Sequence, residues 1–296
     1  MPSIKQLLKE YTPTVHAATK MQFAGMEGVD VYNVSAPARI DGIWHIFGRV
    51  EMREFEVGTV TMLFYLDGDV WKKRDFPAMS LQDPFLQRLG DAFMFGGVEV
   101  RRTSMSADLS YRMVFYYGDT LGDMKRVGHG PWGMKGIRFV QMGEKIGVFT
   151  RPQGRIGRRG KIAWTMIDSV GQIRPRTIQR AEIIPGMFAR GEWGGVNDVH
   201  VIGKKLGVIG HVAQFDEERK RHYYPISFLF DPSTRQWSDM KIICNRGALP
   251  SGGVKRDDLY DVIYPGGIVR EGGRARMFAG VSDAEAYEIT IDDPFR

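Results

Sequence analysis

Residues 135–153 read KGIRFVQMGEKIGVFTRPQ, and this stretch sets the pattern for the whole chain. A short apolar run, IRFVQM, is followed by the charged turn GEK and a second apolar run, IGVFT. Short runs rich in Val, Ile and Phe that are broken by a glycine turn are typical of a β-hairpin. Lys135 stands before the first run and Arg151 directly after the second. The stretch therefore predicts two antiparallel strands with a charged residue at each open end.

Four other stretches follow the same pattern, namely residues 35–51, 82–100, 196–213 and 264–283. The five segments start at 35, 82, 135, 196 and 264, which is 47 to 68 residues apart, and each is followed by further strand-like sequence. Five units of about four strands predict an all-β fold, a five-bladed β-propeller. The last strand, 285–293, is expected to complete a blade with N-terminal sequence and close the ring. A two-sheet sandwich is the alternative, but 296 residues is long for one.

Only the N-terminal segment has a helical pattern. Ile4, Leu7 and Leu8 recur at spacings of three and four residues, and Pro13 ends the pattern. The segment carries charges within its apolar part and has no small-residue cleavage site, which argues against a signal peptide. No low-complexity linker divides the chain. We therefore expect one domain, residues 1–296, with a short helical segment at 1–13.

Composition excludes several classes of protein. Glycine makes up 36 of 296 residues, hydrophobic residues 43% and aromatic residues 11%, which argues against disorder. No apolar run approaches the roughly 18 residues of a membrane helix. The single cysteine, Cys244, excludes an internal disulfide and fits a cytoplasmic location. The net charge of +6 suits an anionic ligand such as phosphate, a sugar phosphate, a nucleotide or nucleic acid.

Polar residues stand at equivalent ends of the five segments, although each adjoins an apolar strand. Because a propeller gathers the ends of its innermost strands around a central pocket, these positions predict two rings of polar side chains. The ring at the strand starts comprises Asn33, Ser35, Asp83, Lys135, Arg138, Asn197, Asp198 and Tyr264. The ring at the strand ends comprises Arg49, Glu51, Glu99, Arg151, His211 and Asp283. A surface turn can explain any one of these polar residues. A propeller with a purely structural core would not need polar residues at equivalent positions in all five segments.

Asp83, in the motif QDPF, is the candidate general acid. A carboxyl group flanked by Pro84 and Phe85 is expected to be partly desolvated, which raises its pKa towards a useful range. The alternative is that the Asp-Pro pair simply starts a strand or turn.

Four cations from three segments, Arg49, Lys135, Arg138 and Arg151, form a candidate phosphate site if they converge. Charge-assisted and bidentate hydrogen bonds suit such side chains to a phosphate group. Each one taken alone is better explained as a solvated surface cation.

Other motifs carry less chemistry. His211 ends the apolar strand KLGVIGHVA and is either a satisfied core histidine or a ligand contact. Neither His45 nor His200 has a partner at metal-ligand spacing, so no metal site is expected, and the absence of a P-loop or GxGxxG motif predicts no cofactor. The basic run 151–161 lacks the interleaved aromatics of a nucleic-acid platform and is interpreted as a loop beside the anion pocket or a solvated face. Residues 216–222 are interpreted as an exposed hairpin tip, and 252–258 as a flexible connection.

The order and spacing of the segments over roughly residues 30–290 resemble the five-bladed propeller enzymes that make and break β-mannosides. The resemblance is to the mannoside phosphorylases of glycoside hydrolase family 130. It is closer to the related β-1,2-mannosyltransferase/phosphorylase group, long classed as an uncharacterised domain family. Because the individual motifs are short, the resemblance depends on order and spacing more than on one signature.

The resemblance implies roles for particular residues. NVSAPARIDGIWHIFGRVE resembles the first blade of the family and implies Asn33 and Arg49 as sugar-site residues. QDPF resembles the motif that carries the general acid and implies Asp83 in that role, with Gln82 in place of the usual acidic neighbour. KGIRFVQMGEKIGVFTRP resembles the third blade and implies Lys135 and Arg151 as phosphate ligands.

The later segments add the remaining candidates. GHVA resembles the end of the fourth blade with its order changed and implies His211, and FAGVSD implies Asp283 as the partner of a sugar hydroxyl. Ring position makes Glu99, Asp198 and Tyr264 further candidates for substrate binding and Arg138 a candidate for phosphate binding.

The mechanism implied by the resemblance is an inverting transfer with one protein carboxylate. Asp83 protonates the glycosidic oxygen through a sugar hydroxyl, and phosphate attacks the anomeric carbon. In reverse, mannose-1-phosphate donates to an acceptor sugar. We therefore expect phosphorolysis or transfer of β-mannosides, with a β-1,2 linkage, and expect neither a nucleic-acid nor a membrane partner. A hydrolase remains open if Glu51 or Glu99 lies opposite Asp83 across a water, as does a non-catalytic carbohydrate-binding propeller.

Overall fold

The fold consists almost entirely of β-strands. The computed structural model describes residues 1–53, 58–102 and 109–296, and within those ranges it contains 22 strands. The N-terminal segment forms a helix, α1 (Ile4–Lys9), inside the predicted range. Ser3 caps this helix by accepting a hydrogen bond from the N–H of Gln6, and Ile4 and Leu7 are buried.

The strands fall into five units, and within each unit antiparallel ladders link most of the neighbouring strands. The first unit contains β2 (Gln22–Ala24), β3 (Asp30–Tyr32), β4 (Ala38–Ile40), β5 (Ile43–Glu51), β6 (Val60–Asp67) and β7 (Val70–Lys73). The second contains β8 (Gln82–Leu89), β9 (Ala92–Arg102), β10 (Leu109–Gly118) and β11 (Lys125–His129). The third contains β12 (Arg138–Met142), β13 (Lys145–Thr150), β14 (Ala163–Ile167) and β15 (Glu182–Ile183).

The fourth and fifth units complete the set. The fourth contains β16 (Trp193–Ile202), β17 (Lys205–Phe215), β18 (Arg221–Asp231) and β19 (Gln236–Ile242). The fifth contains β20 (Asp261–Glu271), β21 (Arg274–Val281), β22 (Glu285–Asp292) and the N-terminal strand β1 (Val15–Lys20). Each of the five predicted segments corresponds to an antiparallel hairpin in a different unit. Two parallel residue pairs between β18 and β20 join the fourth and fifth units into one sheet.

Short helical turns lie in the connections. These are α2 (Gly154–Gly157), α3 (Pro175–Ile178) and three 3-10 turns, Val170–Gln172, Arg246–Ala248 and Asp257–Leu259. No helix in the described part of the chain has the length and apolar character needed to cross a membrane.

The N-terminal sequence closes the fold. Strand β1 pairs antiparallel with β22, as predicted, and β2 then pairs parallel with β7 in the first unit. Between them, the Met21 N–H donates to the carbonyl oxygen of Ala286. One segment therefore connects the last unit to the first, because its two strands extend the sheets of both units.

The hydrophobic core is divided among the contacts between successive units. Within the described residues, five buried clusters each combine side chains of two neighbouring units. In order around the chain they contain Phe47 with Phe95, Phe115 with Phe139, Trp164 with Phe230, Ile209 with Met277, and Phe278 with Phe64. Because the fifth cluster joins the last unit to the first, the units form a closed ring. The prediction of an all-β, propeller-type fold with a short N-terminal helix is confirmed.

Gly147 provides a test of the packing within the third unit. A Cβ atom at this position would lie 2.1 Å from Cη2 of Trp164 and 2.9 Å from Cγ1 of Val140. Gly147→Ala is therefore expected to lower the free energy of unfolding by about 1–3 kcal/mol. Gly122→Ala is the control, because the nearest atom to its Cβ would be 3.9 Å away. Equal stability of the two variants in denaturant titrations would contradict this packing.

Candidate active site

All five units contribute to one cavity of about 280 Å³. Its lining comprises Asn33, Arg49, Asp83, Lys135, Gly136, Arg151, His211, Arg221, Tyr223, Leu259, Val262, Tyr264 and Asp283. Eight of the eleven side chains predicted for the site are therefore brought together. A second cavity of about 850 Å³ shares Arg49, Lys135, Arg221 and Asp283 with the first and so adjoins it.

The backbone at the cavity adopts an uncommon conformation. Asn33, Asp83 and Asp283 have φ angles of 42°, 49° and 51°, in the left-handed region that short polar residues tolerate best. Asp83 also lies at an irregularity in the pairing of β8 with β9, between Gln82 and Phe85. A bulge of this kind redirects a side chain and is frequent beside active sites. Local geometry thus directs three polar side chains into one cavity.

Asp83 is held as a carboxylate. Its Oδ1 accepts hydrogen bonds from Nδ2 of Asn33 at 2.9 Å and Nη1 of Arg49 at 3.2 Å, and its Oδ2 lies 3.9 Å from Nζ of Lys135. Burial alone raises the pKa of Asp83, but the charges of Arg49 and Lys135 and the bond from Asn33 lower it to about 2. The sequence-based expectation of a raised pKa was wrong, because desolvation by Pro84 and Phe85 is outweighed by neighbouring cations that sequence proximity does not reveal.

Glu51 holds Arg49 in place from beneath. Oε2 of Glu51 accepts from Nη2 of Arg49 at 2.9 Å and from Oγ1 of Thr59 at 2.6 Å, while Oε1 accepts from Tyr32 and Lys255. The Glu51 side chain is fully buried. Both of its oxygens are occupied by donors, so Glu51 is not placed to activate a water opposite Asp83.

Two further cations, Lys135 and Arg151, reach the cavity from the third unit. Arg151 is buried and donates from Nε to the carbonyl oxygen of Gly194 at 2.7 Å and from Nη2 to that of Arg159 at 3.3 Å. The Lys135 side chain is partly exposed, but the protein around it still desolvates the ammonium group. This desolvation, with the charges of Arg151 and Arg49, lowers the pKa of Lys135, and the opposing charge of Asp83 only partly offsets the effect. Because both cations line the same cavity, they are suited to bind an oxyanion there.

His211 lines the same cavity in a neutral form. Its Nδ1 lies 2.7 Å from Oδ1 of Asn197, and its ring stacks on Tyr223 with centroids 5.6 Å apart. Tyr264 contacts the ring with a centroid distance of 5.2 Å. Burial and the charges of Arg151, Lys135 and Arg138 lower the pKa of His211 well below its ordinary value.

Asp283 is the second carboxyl group of the cavity. Burial, with the negative charge of Asp83, raises its pKa, and this is only partly offset by Arg49, Lys255 and Lys135. The two carboxyl groups of the cavity are therefore shifted in opposite directions, Asp83 towards the ionised form and Asp283 towards the protonated form. Such a separation is common where two acids have different tasks.

Arg138 does not line the cavity, although the sequence placed it with the phosphate ligands. It is buried, and it donates from Nε to the carbonyl oxygen of Asn197 at 2.7 Å and from Nη1 to that of Ile137 at 2.9 Å. Its guanidinium group lies 4.5 Å from the ring centre of Phe85. Arg138 thus links the second, third and fourth units beneath the cavity.

Asp198 is also outside the cavity lining. It lies at a bulge in β16 and accepts from the N–H groups of Val199 at 2.8 Å and Ile268 at 3.0 Å, and it pairs with His200. Since Ile268 is in β20, the carboxylate connects the fourth unit to the fifth. Asp198 therefore has a structural role at the contact between two units. The alignment of polar residues in the five segments does not distinguish such a role from ligand binding.

Glu99 is the third predicted residue that the structure does not bring to the cavity. Its carboxylate accepts from Nε of Arg112 at 2.6 Å and Nη2 of Arg101 at 3.1 Å. These ion pairs within the second unit, beside Trp132, account for the charge of Glu99. They also exclude Glu99 as the base opposite Asp83 in this arrangement.

Sequence reasoning missed three residues near the cavity. Arg221 was predicted to lie in an exposed hairpin tip, but it is the first residue of β18 and lines both cavities. Tyr223, two positions later, lines the first cavity. Lys255 was assigned to a flexible connection, but its side chain is buried against Glu51. The spacing of Arg221 and Tyr223, two positions apart at the start of a strand, could have indicated that both side chains lie on one face of the strand. Nothing in the sequence indicated the long-range contact of Lys255.

The low pKa of Asp83 predicts a specific dependence of stability on pH. Because the pKa is about 2 in the folded chain and 3.8 ordinarily, the stabilisation is complete above pH 3.8 and is lost as the pH falls towards 2. The stability difference between the wild type and Asp83→Asn should be about 1 kcal/mol smaller at pH 3 than at pH 6. Urea titrations of both proteins measure it, and a difference that does not change with pH would exclude the ion cluster.

Two solved structures from Leishmania mexicana are similar to the chain over nearly its whole length. One is a mannose phosphorylase in complex with phosphate ion, 33% identical with a TM-score of 0.91, covering 99% of this chain and 93% of that one. The other is a GDP-Man-dependent mannosyltransferase, 30% identical with a TM-score of 0.90, covering 99% and 95%. A β-1,2-mannobiose phosphorylase from Listeria innocua, at 12% identity and a TM-score of 0.67 over 90% and 91% of the chains, shares the fold.

No curated protein sequence matches the chain. The sequence profile of the family described as "Protein of unknown function (DUF1861)" matches residues 8–296, almost the full length. The chain therefore belongs to the DUF1861 family, and its predicted resemblance to mannosyltransferases and mannoside phosphorylases is confirmed.

Proposed function

We propose that this protein is an enzyme that transfers a mannosyl group between a sugar oxygen and phosphate, with inversion at the anomeric carbon. In one direction inorganic phosphate cleaves a β-mannoside and mannose-1-phosphate is released. In the other, mannose-1-phosphate donates its mannosyl group to an acceptor sugar. The phosphorylase and mannosyltransferase relatives support the transfer of a mannosyl group. The β-1,2 linkage and the cytoplasmic location predicted from the sequence are further parts of this proposal.

The observation that carries the proposal is the position of the Asp83 carboxyl group beside several cations in a single cavity. Asp83 comes from the second unit, Arg49 from the first, and Lys135 and Arg151 from the third. An inverting hydrolase needs a second carboxylate to activate water, whereas phosphate is already an anionic nucleophile. Lys135 and Arg151 are suited to hold that anion in line with the anomeric carbon, and Arg49 and Asn33 adjoin the acid.

Anion binding also explains how a carboxylate with a low pKa serves as an acid. Arg49 and Lys135 favour the ionised form of Asp83, but a general acid has to carry a proton. A phosphate dianion beside Lys135 and Arg151 brings negative charge close to Asp83 and counteracts the field of the cations, so the pKa of Asp83 rises. Phosphate binding and protonation of the acid are therefore coupled, and the acid becomes competent when the nucleophile is present.

The chemical step balances with these groups alone. The bond between the anomeric carbon and the glycosidic oxygen breaks, and a bond between that carbon and a phosphate oxygen forms on the opposite face. The leaving oxygen takes the proton of Asp83, relayed through a sugar hydroxyl as the resemblance implies. Asp83 ends as a carboxylate, which Arg49, Lys135 and Asn33 stabilise.

Asp283 favours a second candidate function, plain hydrolysis. It is a second carboxyl group in the cavity of Asp83, which is the minimum that an inverting hydrolase requires. Release of free mannose from a β-mannoside in phosphate-free buffer would support hydrolysis, whereas strict dependence on phosphate supports phosphorolysis. Sugar binding without any turnover would support a non-catalytic propeller.

Asp83→Asn tests the assignment of the acid. The variant keeps the hydrogen-bonding shape but has no proton to donate, so turnover should fall by roughly 10²–10⁴-fold. The assay incubates the protein with mannose-1-phosphate and mannose and follows the release of phosphate. The same fold by circular dichroism is the control, and activity retained by a folded Asp83→Asn protein would exclude Asp83 as the acid.

Lys135→Met tests the phosphate site. Loss of one charged donor should raise the KM for phosphate about tenfold or more in the phosphorolysis direction. Lys161→Met is the matched control, because Lys161 is an exposed cation of the same unit and does not line the cavity of Asp83. If both variants change the KM for phosphate equally, local binding by Lys135 is refuted and a general charge effect remains.

A further inference from the structure

The histidine of the cavity differs from its neighbours in what it offers a ligand. Arg49, Lys135 and Arg151 are hydrogen-bond donors, and cations of this kind attract any oxyanion. His211 is neutral, because burial and the positive charges of Arg151, Lys135 and Arg138 disfavour the protonated ring. The negative charge of Asp83 favours the protonated ring but does not outweigh these effects. A neutral imidazole has one nitrogen that donates and one that accepts.

Asn197 determines which nitrogen is which. Its Oδ1 lies 2.7 Å from Nδ1 of His211, and a carbonyl oxygen can only accept, so Nδ1 carries the proton. Nε2 is then an acceptor, and among the described residues it has no hydrogen-bond partner. Tyr223, which stacks on the ring, and Tyr264, which contacts it at an angle, limit ring rotation.

We propose that the His211–Asn197 pair makes the cavity selective for oxyanions that carry a proton. Inorganic phosphate has at least one P–OH group near neutral pH, and that group can donate to Nε2 of His211 while the other oxygens accept from the cations. Sulfate has the same shape and charge but no proton, so it leaves Nε2 facing another acceptor. His211 is then the residue that distinguishes the two anions, and Asn197 is a positioning residue. The inference rests on the phosphate site of the proposed function.

The chain contains a natural contrast to this pair. His200 faces a carboxylate, with Nε2 2.9 Å from Oδ2 of Asp198, and that charge raises its pKa despite burial. Placing a carboxylate at position 197 should have the same effect on His211. Asn197→Asp therefore converts Nε2 from an acceptor into a donor and should admit sulfate.

Calorimetric titration at constant ionic strength tests the proposal with phosphate, arsenate and sulfate. The wild type should bind phosphate and the equally protonated arsenate, and sulfate at least tenfold more weakly. In Asn197→Asp the difference between phosphate and sulfate should fall to less than about threefold. His200→Gln, outside the cavity lining, is the control and should keep the selectivity of the wild type.

The outcomes separate the two proposals. Equal binding of phosphate and sulfate by the wild type overturns selection by His211 but leaves the phosphate site intact. Binding of neither anion overturns the phosphate site itself. Unchanged selectivity in Asn197→Asp overturns the role of the pair. If Asn197→Asp does not fold, nitrogen-15 NMR of the wild-type histidines decides, because a proton on Nε2 rather than Nδ1 of His211 contradicts the proposal.

Discussion

The ion cluster around Asp83 is the interaction on which the rest of the site depends. A buried carboxylate is costly unless charged and neutral donors surround it. Asp83 has such donors in Arg49, Asn33 and Lys135, which are supplied by the first and third units on either side of its own. None of these partners is close to Asp83 in sequence. The cluster therefore forms only when the ring is assembled, so the chemistry of the site depends on the complete fold.

A second layer of buried charge keeps the cavity in shape. Glu51 orients Arg49, Arg138 joins three units beneath the cavity, and Asp198 joins the fourth unit to the fifth. Polar groups buried in this way are tolerated because nearly every oxygen and nitrogen has a partner. They do not touch the cavity, yet they set the distances between the residues that do. A substitution in this layer is expected to act on the site through geometry.

Sequence was sufficient for the ring and for most of the cavity, and the reason is the regularity of a hairpin. The pattern of residues 135–153 recurs, so strand ends align and residues such as Lys135 and Arg151 converge. The sequence was insufficient where the role of a residue depends on which other side chain it contacts in the folded protein. Glu99 contacts Arg112 inside its own unit, and Lys255, which precedes the fifth unit, contacts Glu51 of the first unit 204 residues away in sequence. The predicted direction of the Asp83 pKa shift was wrong for the same reason. That pKa depends on the distances from the carboxylate to the cations and not on the residues adjacent in sequence.

The proposed chemistry requires that a single cavity holds both the acid and the anion. A crystal structure with mannose and inorganic phosphate bound measures this most directly. Phosphate should lie within hydrogen-bond distance of Lys135 and Arg151, and mannose should lie between that phosphate and Asp83. Phosphate bound away from these side chains, or mannose in a place that Asp83 does not reach, would contradict it.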